Sequence, residues 1–194
     1  MIPVVSWTEC IVHSLLWQGL WLWLVWSAGH GATAAPLLAT GLLLALWTWR
    51  SGPAGIILLR LVAVGVLWGV VGDGLLAAGN LVSYATPNNL MTWCPAWWIL
   101  ALWAQFAAAL VLPLRRVLTN PLVALGAGLV GGPLAYLGGQ ALGAISFPSG
   151  QLGGLTAVAM AFGIGTPLLV LLANRWLGGA QAPAPMVSQP TVGG

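Results

Sequence analysis

Six apolar runs follow one another along this chain, separated by turns rich in glycine, proline or arginine. A helix needs roughly 20 mostly apolar residues to cross the hydrocarbon of a bilayer. A chain of 194 residues therefore holds six such spans with short loops. Charge points the same way. Five arginines, two acids and no lysine make up 4% of the chain, against about a quarter in a soluble domain. Seven charges cannot coat a body of this size, so water is not its main solvent. Disorder and coiled coil fail on the same ground, and five scattered arginines are not the basic patch that nucleic-acid binding requires. The expected fold class is all-α, a polytopic membrane bundle of six transmembrane helices.

The runs set the expected boundaries. Helix 1 covers about Trp7 to Ala28, opened by the capping box Ser6-Trp7-Thr8-Glu9 with Val5 and Cys10 placed as a hydrophobic staple. Helix 2 covers about Ala34 to Trp49 and stops at Arg50-Ser51-Gly52-Pro53. Helix 3 covers about Ala54 to Asn80, followed by a polar and aromatic connection from Leu81 to Cys94 that includes Pro87-Asn88-Asn89. Helix 4 covers about Pro95 to Leu112, helix 5 about Pro121 to Ile145, and helix 6 about Leu152 to Trp176. Residues 1–177 form the transmembrane domain. Residues 178–194 are mostly glycine, alanine, proline, serine and glutamine without charge, a composition that cannot bury a core and reads as a disordered cytoplasmic tail. Met1 to Val5 has neither a basic region nor a small-residue cleavage site after the first run, so helix 1 is expected to be retained. Neither end carries a lipidation motif.

Arginine placement gives direction. With six spans, Arg50, Arg60, Arg115, Arg116 and Arg175 all fall at one surface and the opposite loops hold none. The positive-inside rule makes that surface cytoplasmic, with both termini on it. Trp7, Trp47, Trp49 and Trp176 fall at the expected inner surface and Trp93, Trp97 and Trp98 at the outer one, as aromatic belts require. Trp17, Trp21, Trp23 and Trp26 run along helix 1 on more than one face. They read either as packing bulk or as a flat-ring surface for a pigment, quinone or sterol. Cys10 and Cys94 lie at opposite surfaces, roughly 30 Å of hydrocarbon apart, too far for a disulfide.

The polar residues inside the spans are the candidate site. On a wheel of about 100° per residue, Gly65, Gly69, Gly72, Asp73, Ala77 and Asn80 share one face of helix 3. Asp73 is an ionisable group at membrane depth, costing about 2.5–3.5 kcal/mol on insertion scales, so it must face the interior. Gly128, Gly132, Tyr136, Gly139, Gln140 and Gly143 share one face of helix 5 at similar depth. Pro133 and Pro167 free the carbonyls of Leu129 and Gly163 and put breaks in helices 5 and 6. Gln18 and Gln105 lie near mid-membrane and need partners. The candidate intramembrane polar site is therefore Asp73, Asn80, Gln105, Tyr136 and Gln140, forming a pocket that opens outward. Each part also has a packing explanation: glycine faces let helices approach, and Asn and Gln act as interhelical glue. Glu9 is most simply a capping carboxylate with His13 as its interfacial neighbour, and His30 a solvated turn residue.

Enzyme signatures are thin. No serine or cysteine sits beside an oriented base, and the two carboxylates Glu9 and Asp73 lie in opposite leaflets, unlike a glycosidase pair. No metal motif is present, and no catalytic residue, metal or cofactor is expected. Gly69–Leu75 weakly echoes Gly128–Leu134, but the helices involved run in the same direction and do not form an inverted repeat.

Three segments carry a family resemblance. Asp73 with Gly79-Asn80, then Pro95-Ala96-Trp97-Trp98 through Leu102-Trp103-Ala104-Gln105-Phe106-Ala107, then Gly131-Gly132-Pro133-Leu134-Ala135-Tyr136 through Leu142-Gly143-Ala144 resemble a bacterial family of small multipass inner-membrane proteins known only as a domain of unknown function. The resemblance covers about residues 10 to 175. It implies the same architecture and an association with membrane-lipid modification and envelope stress, and it brings no reaction, substrate or cofactor. Two functional readings follow. The first is a non-catalytic accessory or interaction component whose partners are membrane lipids and a membrane protein, with no nucleic acid. The second is a small transporter or lipid-handling protein with an outward polar pocket centred on Asp73.

Overall fold

The computed structural model describes residues 6–86 and 94–179. It is all-α apart from one short ribbon, with six helices: α1 (Trp7–Gly29), α2 (Ala34–Arg50), α3 (Gly55–Ala78), α4 (Trp97–Ala109), α5 (Pro121–Ala141) and α6 (Gln151–Gly179). Two-residue strands β1 (Ser83–Tyr84) and β2 (Ile145–Ser146) pair antiparallel, Tyr84 opposite Ile145. Four helices, α1, α3 with its leading turn, α5 and α6, are long and apolar enough to cross a membrane. α2, with 17 residues, and α4, with 13, are shorter. α4 is shorter than the expected Pro95–Leu112 because the chain leaves the helix at Leu110 and winds into turns while Leu110, Val111 and Leu112 stay buried. Pro113 closes that segment, since it cannot continue a helix. α5 likewise ends at Ala141 rather than Ile145, because Gly143 takes a left-handed φ of 74° and Ile145 joins the ribbon. α6 continues past Trp176 to Gly179, and the tail expected beyond it lies outside the described residues, as do Val5, Pro87, Asn88, Asn89 and Trp93.

Local chemistry accounts for the helix ends. Ser6 Oγ accepts from Glu9 N at 3.2 Å while Glu9 Oε2 accepts from Ser6 N at 2.8 Å, the reciprocal capping box. Asn120 accepts from Leu122 N at 2.8 Å ahead of Pro121 in the first turn of α5. α3 stops where Asn80 turns left-handed, φ 55°, and Leu81 N reaches back to Leu76 O at 2.9 Å.

Contacts at the two ends fix how the helices alternate. At one end Arg50 Nη2 lies 3.5 Å from Glu9 Oε1, the Arg116 guanidinium stands 5.1 Å over the Trp7 ring, and Asn174 Nδ2 donates to Thr119 O at 2.7 Å. At the other end Ser149 Oγ donates to Asn80 O at 2.8 Å, Ala85 N donates to Ala144 O at 2.8 Å, and Gly29 packs on the backbone of Leu142 and Gly143. Successive helices therefore run in opposite directions, with Arg50 and Arg116 at the same end.

Glycine against aromatic is the packing rule of the interior. A Cβ on Gly65 would stand 2.8 Å from Ala107 Cβ, and one on Gly69 would fall inside the Trp103 indole, so α3 lies directly on α4. Gly132 meets Phe162 in the same way, at 2.6 Å from Cγ, and Gly163 meets Leu129 Cδ2 at 2.7 Å, so α5 lies on α6. Gly165 accepts the Trp68 indole, whose Nε1 donates to Ala161 O at 3.2 Å and ties α3 to α6. Lipid offers no hydrophobic drive between helices, so close backbone approach supplies the attraction. The tryptophans divide accordingly. Trp7, Trp49 and Trp97 are exposed at helix ends, as belts require. Trp47 and Trp98 correct the belt reading: they are fully buried, and their indoles donate to His13 Nδ1 at 3.0 Å and Ala85 O at 3.1 Å. His13 is thus held by Trp47, and Glu9 by Ser6 and Arg50. Gly69→Ala and Gly132→Ala should each destabilise the protein by about 1–3 kcal/mol through overpacking, read as lower melting temperature in detergent. Gly41→Ala, where a Cβ meets nothing within 4 Å, should melt like wild type.

Candidate functional site

Asp73 sits at the centre of a closed polar cluster and is 0% exposed. α3 carries it on the face whose neighbours Gly69 and Gly72 leave room for large side chains from other segments. Three donors converge on the carboxyl group. Trp103 Nε1 of α4 donates to Oδ2 at 2.5 Å, Tyr84 OH of β1 donates to Oδ1 at 2.8 Å, and Tyr136 OH of α5 also donates to Oδ1. The two phenol oxygens are 3.3 Å apart. Phe162 of α6 closes the arrangement, its ring 4.6 Å from that of Trp103 and 5.8 Å from that of Tyr136.

The matching is neutral donor to acid. Among the described residues the one ion pair joins Arg50 and Glu9 at the surface. Burial, and after it the neighbouring Asp73, pushes the Tyr84 phenol well above the ordinary tyrosine range, so Tyr84 stays protonated and remains a donor. The β1–β2 ribbon positions it: Ser83 faces out, Tyr84 faces in, and Trp98 packs edge-on against its ring at 6.0 Å. The connection between α3 and α4 thereby folds back over the acid.

The five residues singled out in the sequence do not form one site. Asp73 and Tyr136 meet directly. Gln105 is buried but faces away from Asp73, two residues or about 200° round α4 from Trp103, and its Nε2 donates to Thr40 Oγ1 of α2 at 2.8 Å. Asn80 is exposed and serves as the left-handed residue that ends α3. Gln140 is exposed one turn beyond Tyr136, at the end of α5 where the face turns out of the bundle. The acid's other partners are Tyr84 and Trp103, which sequence reasoning passed over. Trp103 carried a signal: it lies in mid-helix, away from any belt, and a buried indole N–H needs an acceptor. Tyr84 lies in a connection, where helical periodicity says nothing about direction.

Beside the cluster lies a cleft of about 600 Å³ between α1 on one side and α4, α5 and α6 on the other. Trp103 and Tyr136 form part of its wall, and Asp73 does not reach it. The polar pocket expected to open outward from Asp73 is thus replaced by a closed cluster and a separate, mainly apolar cleft.

The cluster orders the expected effects of substitution. Asp73→Ala strands three donors and should cost more than Asp73→Asn, whose amide keeps an oxygen for the tyrosines but sets N–H against the Trp103 N–H. Tyr84→Phe leaves Tyr136 on the same oxygen and should cost least, about 1 kcal/mol. Equilibrium unfolding in mixed micelles measures that order.

No curated protein and no solved structure matches the chain. A family model does, over residues 10–168, a match that includes Asp73, Tyr84, Trp103 and Tyr136 and most of the cleft wall. The chain belongs to the DUF2878 family, proteins of unknown function.

Proposed function

We propose that the chain is a non-catalytic protein of the bacterial inner membrane, crossing it six times with both ends cytoplasmic. It acts as an accessory or interaction component alongside membrane-lipid modification. The observation that carries the non-catalytic reading is the closure of Asp73. Its carboxyl oxygens are engaged by three donors and it is 0% exposed, so it offers no acid, base or ion site to a passing substrate. A transport pathway through Asp73 would require the acid to meet water or substrate. The lipid-handling part of the alternative draws support only from the neighbouring cleft.

Six crossings are supported by the alternating helix directions and by the arginine-free opposite end. The two shorter helices fit this reading. α4 is buried along most of its length, and Leu110, Val111 and Leu112, which follow it in irregular turns, are buried too. Irregular backbone is tolerated at membrane depth when protein surrounds it. α2, at about 1.5 Å per residue, extends roughly 25 Å, a modest mismatch with a bilayer core of roughly 30 Å.

Reporter fusions test the arrangement. Fusions after Leu81 and after Ser149 should report the periplasm, and one after Thr119 the cytoplasm. A periplasmic signal at Thr119 contradicts the six-span topology.

A further inference from the structure

We infer that a pocket at the arginine-bearing end of the bundle holds the phosphate of one anionic phospholipid, with Arg115 as its counter-charge. The pocket lies between the turns that follow α4 and the last turns of α6. The inference rests on the membrane-spanning reading, with that end at the cytoplasmic surface.

The first support is the count of charges. The whole chain has five arginines and two acids. Asp73 is enclosed in its cluster, and Glu9 is bonded to Ser6 and Arg50. Arg116 stands over the Trp7 ring. No carboxylate side chain is left for Arg115, and among the described residues its guanidinium has neither an ion-pair nor a hydrogen-bond partner. Arg115 is also half-buried, so part of its hydration is lost and an anion beside it supplies what water no longer does.

The second support is the shape and lining of the pocket. It encloses about 240 Å³ and is two-sided. Arg115 and Thr119 of the turns bring a guanidinium and a hydroxyl, while Leu110, Ala173 and Leu177 are apolar and buried. Asn174 Nδ2 donates to Thr119 O at 2.7 Å, which pins α6 to the turn and fixes the wall between them. The apolar side lies deeper, because Leu110 precedes Arg115 on the way out of α4 and Ala173 precedes the end of α6.

That lining selects among phosphates. A guanidinium fork pairs with two phosphate oxygens at once. A free phosphate ion gains nothing from leucines, whereas a phospholipid sets its phosphodiester against Arg115 and its glycerol and first methylenes against the apolar side. A zwitterionic headgroup also brings an ammonium, and both acids of the chain are already engaged. The cytoplasmic leaflet carries anionic headgroups, and basic pockets between spanning helices on that side suit them.

The test uses the full chain, purified in mild detergent and stripped of lipid, with native mass spectrometry as lipid is added back. Arg115→Gln is compared with Arg60→Gln. Each removes one charge from the same end, neither arginine is buried, and Arg60 does not line the pocket, so both variants should melt like wild type. Wild type should bind one dioleoyl phosphatidylglycerol per chain, about tenfold more tightly than dioleoyl phosphatidylcholine, and excess inorganic phosphate should not displace it. Arg115→Gln should weaken phosphatidylglycerol binding about tenfold, and Arg60→Gln by less than about twofold. Equal weakening in the two variants would reduce the effect to diffuse surface charge and overturn the proposal. Equal binding of phosphatidylcholine, displacement by inorganic phosphate, or a wild type without a one-to-one adduct would each overturn it as well. The reporter fusions test the orientation separately, and either experiment can fail while the other succeeds.

Discussion

A carboxyl group buried at membrane depth must find its hydrogen bonds inside the protein, and the interior of this bundle is arranged around that requirement. Water at the surface would solvate Asp73 at no cost to the fold. In the core each donor has to be delivered by a separate segment, and here α4, α5 and the first strand of the ribbon each deliver one. A hydrogen bond contributes about 0.5–1.5 kcal/mol net, so three together are on the scale of the insertion penalty of about 2.5–3.5 kcal/mol that such a residue carries. Ordering follows as a consequence. α3, α4, α5 and the connection over the top are held in one register because they share an acceptor.

The glycines make that convergence possible. Trp103 can reach Asp73 only because Gly69 lets its indole lie against the α3 backbone. Tyr136 and Phe162 come together because Gly132 and Gly128 let α5 settle onto α6. Large rings on one helix and absent side chains on the next give tight contact without relying on hydrophobic drive. α1 is the exception. It is tied to the rest near its start through Arg50, Arg116 and the His13–Trp47 bond and near its end through Gly29, and between these Trp17 and Trp21 line the cleft beside α4 and α5.

Much of this was legible in the residues. The scarcity of charge and the spacing of the apolar runs pointed to six helices, the capping box placed the start of α1 to within a residue, and α5 starts at Pro121 as expected. Asp73 and its glycine face stood out because an acid in an apolar run has only one tolerable environment. The encounter with Tyr136 followed from depth matching alone. Gln140 shows the limit of that method: one turn past Tyr136 it has left the interior, and depth does not say where a helix ends or which way its last turn faces. Gln105 shows another limit, since a polar residue's need for a partner does not name the partner, and Thr40 was nearer than Asp73. Tyr84 was illegible because its direction is set by a two-residue ribbon between distant connections, Ser83–Tyr84 with Ile145–Ser146. The cleft was hinted at only by the density of tryptophan in α1, a signal that packing explains equally well.

The central claim is that Asp73 is fastened directly to side chains of other segments, and a double-mutant cycle between Asp73 and Trp103 tests it most directly. Asp73→Ala, Trp103→Phe and the double variant are compared with wild type by equilibrium unfolding in mixed micelles. Removing Asp73 leaves the Trp103 N–H buried and unpaired, and removing the indole N–H leaves Asp73 Oδ2 without its donor, so the double variant should lose less stability than the sum of the single variants, by about 1 kcal/mol or more. Losses that add to within about 0.5 kcal/mol would mean that the two side chains do not bond in the folded protein, and the account given for the bundle's interior would be wrong.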